Sequence, residues 1–421
     1  MKKLFAFLCV IGLILCLASP ALAGGIENKT NWSVEYIRTF NRNASTDAAD
    51  IVLYNPAGTV KMEDGFYGNL SAHYLIKDYS NIIDGVDKEG KDPSLIPGVF
   101  ALYKKSDWSY YFGFSNFGGG GKITFENGNQ TTNRLGYAMM GVYGAGLVSD
   151  QRIAAESMYP GYTFGSAYKI NNIFAVSLAA RYIDAYREVQ AETTLTNLGG
   201  VRIENADYDE RANGWTGIIG VNISPTDAFN IGLRYETNTD LNFKQKVSKD
   251  TLGLLKIPSI AKGFNVSNGA IISRDLPAIL GAGASYQFTP KMRVETNLTW
   301  YFNTNADWDG KEDKVDDGYD LGIMFEYAFS DSFKATVGYL YTETGIDPKD
   351  MTPESPELDA NTVGGGVAWK ATKDLTLNFA AGNTFYTSDS FIYVPSPGAS
   401  DKVEYEKNIL FIAFGLEYKF K

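Results

Sequence analysis

One histidine, His73, and two cysteines, Cys9 and Cys16, are all that this 421-residue chain offers for imidazole or thiolate chemistry. A serine hydrolase needs a base beside its nucleophile, and a structural zinc needs nitrogen or sulfur ligands. Both cysteines lie in an apolar N-terminal run, which leaves no disulfide framework and no thiolate metal site in the remainder. His73 reads as a polar wall residue. The run Gly118–Lys122 is not a phosphate loop, because Asn116 stands at the first glycine position and Ile123 replaces the serine or threonine. No catalytic group, metal or cofactor is expected. The groups left to do chemistry are cations. Arg181, Arg187, Arg234, Arg293 and Lys334 fall at the polar positions of alternating segments, where each could meet a carboxylate. Pairing with Glu236, Glu295, Glu326 and Glu417 is the competing reading.

Those cations need elements to position them. In Ile409–Phe420, large apolar residues (Leu410, Ile412, Phe414, Leu416, Tyr418, Phe420) alternate with Phe411, Ala413, Gly415, Glu417 and Lys419. Period two is a strand with one greasy face. The pattern recurs around Phe174–Tyr182, Phe229–Glu236, Arg293–Phe302 and Asp320–Phe329. Arginine and glutamate keep returning on the other face. Ionic side chains are rarely buried unless paired, so that face fits a wet lumen, and the greasy face fits lipid.

The start of the chain agrees with export. Lys2 and Lys3 precede the apolar run Leu4–Leu17, and Ala21-Leu22-Ala23 offers small residues for cleavage. Residues 1–23 are expected to be a cleaved signal peptide. The net charge of -11 then becomes about -13 as Lys2 and Lys3 leave; no basic patch suggests nucleic acid. No later apolar run is long enough for a membrane helix.

Tight turns at 104–107, 170–172, 224–227, 289–291, 330–332 and 371–373 alternate with longer polar stretches, including 117–152, 190–209 and 247–274. The spacing predicts fourteen antiparallel strands over 65–421, among them 65–78, 153–169, 173–189, 210–224, 228–244 and 404–420, closed as an all-β transmembrane barrel. Its lumen is too wide for wall side chains to fill. Residues 24–64 are therefore expected to fold inside as a hatch. Asn55-Pro56-Ala57-Gly58 would be a tight turn within it, since proline fixes its own φ and pushes Asn55 out of helix.

Two outer stretches are unusually apolar: Leu135, Tyr137, Met139, Met140 and Val142 in one, Leu252, Leu254, Leu255, Ile257 and Ile260 in the other. They read either as a landing groove for a lipid-like molecule or as a cap packed on itself. The third strand ends in Phe117, Gly118, Gly119, Gly120 and Gly121, and glycine within a strand marks a bulge or break.

Four stretches carry a family likeness: Asp47-Ala48-Ala49 followed by Asn55-Pro56-Ala57-Gly58; Asn230–Asp240; Leu276–Lys291; and Asp374–Asn378 with the aromatic-rich end. On these the chain resembles the FadL-type outer-membrane transporters of long-chain fatty acids and other hydrophobic compounds. The resemblance implies a fourteen-stranded barrel in an outer membrane, a luminal hatch, a kinked third strand that opens sideways, and a monomer. It implies hydrophobic small molecules of the fatty-acid or aromatic-hydrocarbon class as cargo and outer-membrane lipids as surroundings. Passive transport is then the expected function; the alternatives are a porin or an adhesive barrel. The chain departs from the family in ending on Lys421 and in lacking a basic residue near Ile183-Asp184.

Overall fold

A computed structural model describes residues 32–396 and 399–420; the expected signal peptide and the first residues of the expected hatch lie outside them. The alternating segments become strands β1 (Gly65–Ile83), β2 (Ser94–Lys105), β3 (Trp108–Asn116), β4 (Pro160–Lys169), β5 (Phe174–Asn197), β6 (Gly200–Thr226) and β7 (Phe229–Glu236). They continue as β8 (Ala278–Thr289), β9 (Met292–Phe302), β10 (Gly318–Ser330), β11 (Phe333–Glu343), β12 (Ala360–Lys370), β13 (Leu375–Tyr386) and β14 (Ala399–Phe420). Each pairs antiparallel with its chain neighbour, and β1 pairs with β14 from Phe66↔Phe420 to Ile83↔Val403, closing a 14-strand barrel.

The faces are inverted relative to a water-soluble sandwich. Leu178, Ile219, Phe379 and Phe414 are exposed, while Arg181, Glu236, Glu295 and Glu417 are buried inside. Lipid tails offer no hydrogen bonds, so only a closed ladder with apolar side chains outward satisfies them. Aromatic clusters mark both edges of the apolar band. Trp108 packs at a tilt against Tyr168, and Phe329 against Phe333, near the tight turns. Tyr182 meets Trp215, and Trp300 meets Tyr319, on the long-loop side.

Several expected boundaries move. The stretch 190–209 is not a loop: β5 and β6 stay paired from Phe174↔Ile223 up to Asn197↔Gly200. A span needs about 9–11 residues, so this hairpin continues well past the bilayer. The upper outer face of β5 carries Glu188, Gln190 and Glu192, all exposed, so its greasy alternation is interrupted there and the strand signal is lost, although Val201 and Ile203 on β6 are exposed nearer the tip. The expected strand 153–169 breaks at Tyr159, between Leu147–Met158 and Pro160–Lys169. The expected strand 228–244 breaks after Glu236 and resumes as Asn242–Asp250 on β6. The stretch 117–152 holds helix α2 (Gln130–Tyr143), and 247–274 holds helix α3 (Pro258–Phe264).

The described part of the expected hatch lies in the lumen. Helix α1 (Val34–Thr39) is capped by Ser33, whose hydroxyl accepts from the Tyr36 N–H. Two 3-10 turns follow, Ala49–Leu53 and Pro56–Lys61. The wall satisfies their backbone. Glu295 accepts from Ala44 N and Ser45 Oγ at 2.9 and 2.8 Å, Asn297 Oδ1 accepts from Asn43 N at 2.6 Å, and Thr336 donates to Arg38 O at 2.8 Å. Glycines on six strands make room. A Cβ at Gly232, Gly338, Gly364 or Gly415 would strike Asn43, Thr39, Phe40 or Val34; at Gly283 it would sit 2.8 Å from Ala44 N, and at Gly322 2.7 Å from Asn41 Oδ1.

Candidate functional site

The third strand leaves the wall at its glycines. β3 pairs with β2 only as far as Phe114↔Val99, while β2 continues alone on that edge through Ser94–Gly98. This edge contains Pro97, a residue with no N–H to leave unpaired. Asn116 holds the departure in place. Its Nδ2 donates to Gly118 O and Gly119 O at 2.7 and 2.9 Å, and its Oδ1 accepts from Tyr159 N at 2.7 Å. Gly119 has φ 74°, and a Cβ there would strike Ser157 O. The chain then runs over the lumen side, where Lys77 Nζ donates to Gly120 O at 3.0 Å and to Lys122 O. It resumes as strand Gly121–Phe125 against Ile153–Ser157. The expected kink is thus a break in pairing at Phe117–Gly120.

Directly inside this break, above the hatch, is an apolar cavity of about 90 Å³. Trp32 and Tyr36 of the hatch form its floor, and Leu75, Tyr79, Tyr301, Leu340, Leu358, Tyr386 and Ile409 its walls, with Gly120 at its edge. Two lysines, Lys77 and Lys407, and two carboxylates, Asp320 and Glu357, border it. Lys77 is tied to the kink carbonyls. Lys407 Nζ lies 4.7 and 4.8 Å from the rings of Tyr79 and Tyr386 and donates to Pro356 O at 3.1 Å. Neither was among the expected carboxylate contacts, although Lys77 shares the parity of Leu75 and Tyr79 on β1.

A second cavity of about 150 Å³ shares Lys77, Tyr79 and Gly120 with the first. A third of about 110 Å³ shares Arg187, Arg274 and Lys311 with the second. Shared lining residues thus link the three in series from the loops to the kink, a path in outline. Its outer part carries both signs of charge: Arg187, Arg274 and Lys311 stand among Asp275, Asp350 and Glu357, and Arg187 and Arg274 both lie near Glu210, at 3.6 and 3.8 Å. Burial, and then the neighbouring Arg274 and Arg187, hold the Lys311 ammonium below the usual lysine value.

The other expected carboxylate contacts serve the wall and the hatch. Arg181 pairs with Glu236, takes Thr163 Oγ1 at 3.0 Å and lies over the Phe117 ring at 3.8 Å. Arg234 pairs with Glu236 at 2.7 Å and donates to Leu53 O. Arg293 and Lys334 both reach Asp47 and Glu326. Of the five, only Arg187 lines the path. His73 is buried in the wall 6.1 Å from Trp32.

The apolar loops close on themselves more than they face outward. Leu135, Met139, Leu254 and Leu255 are buried, and Met140, Leu252, Ile257 and Ile260 pack half-buried against them. Of that set Val142, at 43 %, is the exposed one. Tyr137 donates to Asp401 Oδ1 at 2.6 Å, and Arg134 lies 5.1 Å over Phe264, joining α2 to α3. Of the two readings, groove or cap, this packing matches the cap, because these apolar groups lose more water by meeting each other. Thr131, Arg134, Phe264 and Asn265 from the two loops nevertheless line the second cavity, so the path starts between them.

The Asn55-Pro56-Ala57-Gly58 turn is wholly buried. Asn55 Nδ2 donates to Ser45 O at 3.0 Å and to Asn222 Oδ1 on β6 at 2.8 Å. The turn is thereby held against β6. Pro56 packs against Gly220 of β6, and a Cβ at Gly58 would strike Asn55 Nδ2. The hatch meets β3 through Val52 and Leu53, each 3.1 Å from where a Cβ of Gly113 would be.

No curated protein sequence matches the chain. Among solved structures, the chain superposes on a Pseudomonas aeruginosa FadL homologue with TM-score 0.72 at 14% identity, over 94% of this chain and 100% of that one. It superposes on the Pseudomonas putida toluene transporter TodX with TM-score 0.61 at 13% identity, over 91% and 99%. The Ralstonia pickettii toluene transporter TbuX gives 0.60 at 15% identity, over 95% and 99%. These likenesses concern the fold. The family described as outer membrane protein transport protein (OMPP1/FadL/TodX) matches residues 161–420, and the chain, with its closed barrel, belongs to that family.

Proposed function

We propose that this chain transports hydrophobic molecules passively across an outer membrane, from the α2–α3 cap, along the three cavities, and out sideways at the third strand. The observation that carries this reading is the apolar cavity that ends on Gly120, inside the break in β2–β3 pairing. A protein cavity of about 150 Å³ is enough to hold benzene. The second cavity, at about 150 Å³, matches one ring, and the first and third, at about 90 and 110 Å³, each suit a short length of alkyl chain, with the rest of a long molecule in the next. Each buried methylene contributes roughly 0.8 kcal/mol, so shallow successive sites capture without trapping.

Within that reading the substrate is an amphiphile with an anionic end, such as a fatty acid. Arg187, Arg274 and Lys311 line the way in, beside Asp275, Asp350 and Glu357, and Lys77 and Lys407 border the apolar cavity, beside Asp320 and Glu357; the reading takes the cations to meet the anionic end. A neutral monoaromatic is the second reading, favoured by the tyrosine-lined cavity and by relatives named as toluene transporters. The hatch moves only far enough to let the molecule reach the kink; binding shifts its population rather than driving a stroke. The test is uptake by cells lacking other hydrophobe channels, comparing a long-chain fatty acid, toluene and a small sugar. Faster entry of either hydrophobe with no gain for the sugar supports transport. Uptake of all three at the empty-vector level sinks it.

A further inference from the structure

Where β1 meets β14 the barrel closes, and the lumen side of this seam faces the hatch. Glu417 on β14 stands directly across from Asn69 on β1, and Asn378 lies on β13, the other neighbour of β14. Helix α1 places Glu35 at the same spot. Asn69 and Asn378 each donate their amide N–H to Glu35 Oε1, at 2.8 and 2.9 Å. Asn69 also reaches Glu417 Oε2 at 3.4 Å, an oxygen that accepts from Ala49 N as well. One amide is thus shared by two carboxylates. Glu35, Asn69, Asn378 and Glu417 are all buried, none more than 9% exposed.

The charges around them do not close. Arg42 is taken by Asp47 and Asp50, Arg38 by Glu326, and Lys419 by Glu63 at 2.6 Å. Among the described residues neither Glu35 nor Glu417 has a basic group within 4.0 Å. Hydrogen bonding does not close either. Glu35 Oε2, Asn69 Oδ1 and Asn378 Oδ1 are buried acceptors that no protein donor reaches. Turning either amide over would set its oxygen against a carboxylate, so no flip resolves the shortage. The three unsatisfied atoms of this group are all oxygen acceptors, and uncompensated buried charge is strongly unfavourable.

We propose that Glu35, Glu417 and the side-chain oxygens of Asn69 and Asn378 bind a hard divalent cation of the calcium class. The ligand set is all oxygen, with two carboxylates to match a double charge and no nitrogen or sulfur to favour a softer ion. Among the described residues no three acidic, histidine or cysteine side chains are placed to hold a metal ion together, so the two amide oxygens are needed to complete this set. Glu35, Asn378 and Glu417 line a cavity of about 790 Å³ below the hatch, on the tight-turn side. The ion therefore reaches the site without passing the transport path. Bound, it ties the hatch to β1, β13 and β14 at once, so hatch retention depends on divalent ions.

The test uses the full chain in detergent, stripped with EDTA and titrated with calcium chloride by calorimetry, with the melting temperature followed in parallel. One saturable equivalent and a raised melting temperature are expected in the native protein. The E35Q/E417Q double variant should lose both while keeping the heat-modifiable gel migration of a folded barrel. Asn378→Leu, which keeps both charges, should weaken calcium about tenfold, whereas Asp347→Asn on an outer loop should change nothing. The absence of a saturable equivalent overturns the proposal, as does an equivalent undiminished in both the double variant and Asn378→Leu. Stabilisation by acid in place of calcium, without calcium uptake, means that the carboxylates share a proton and overturns it as well.

Discussion

A methyl group added at Gly232 would run into the Asn43 carbonyl of the hatch. Gly232→Val is accordingly expected to destabilise the protein by about 1–3 kcal/mol, the usual cost of overpacking. Because the strain falls on the hatch and not on the ladder, it should also raise ion conductance. Denaturant midpoints and single-channel recordings check the two effects. Lys311 tests the charge of the substrate. A hydrogen bond to a charged group contributes about 1.5–3 kcal/mol, so Lys311→Met should weaken a long-chain carboxylate about tenfold or more and leave the alcohol of equal length unchanged. Equal loss for both, measured as detergent binding, would remove the anion from the reading. At this scale the sequence was half legible. Parity showed that Arg181, Arg234, Arg293 and Lys334 face inward. It could not show that Asp47 would stand between Arg293 and Lys334, because that contact joins residues more than two hundred positions apart through a hatch whose path is not periodic. Lys77 and Lys407 were missed for the same reason: what distinguishes them is the apolar space beside them, which no spacing records.

Among the elements, the third strand carries the sharpest expectation. Gly119 has φ 74° and no room for a Cβ beside Ser157 O. Gly119→Ala should therefore displace the kink and cut hydrophobe uptake several-fold, while the barrel still assembles through β3–β4 pairing. Transport assays on surface-quantified protein measure this; undiminished uptake would mean the break is not the exit. The glycine run announced this break, and the alternation announced the membrane strands. The breaks at Tyr159 and after Glu236 were not legible, because local pattern continues across them and only the neighbouring strands' departure ends the pairing. The upper halves of β5 and β6 were hidden differently. Outside the bilayer both solvents are water, so the greasy face that reveals a membrane strand is interrupted although the ladder continues. The apolar loops were legible as composition but not as direction, since a binding surface and a cap use the same residues.

The whole molecule is a barrel filled by its own N-terminal segment, and removing that segment is the test at this scale. Deleting Trp32–Met62 should leave a closed ladder around a charged, water-filled lumen. Small sugars and ions should then pass, and discrimination in favour of hydrophobes should fall. Liposome swelling with graded sugars reads the change; an unaltered size limit would show that something other than the hatch closes the lumen.

Six strands of the wall carry glycines shaped to one particular path of the hatch from Val34 to Ala44. The two parts are therefore not interchangeable components. A hatch grafted from a relative at 14% identity would meet bumps where it needs hollows, and a barrel relieved of its own hatch would keep hollows with nothing to fill them. Changes to either have to arise in step with the other, which slows their divergence relative to the loops. Altering what this channel carries is then a matter for α2, α3 and the residues along the cavities, where new side chains can be tried without refitting the interior.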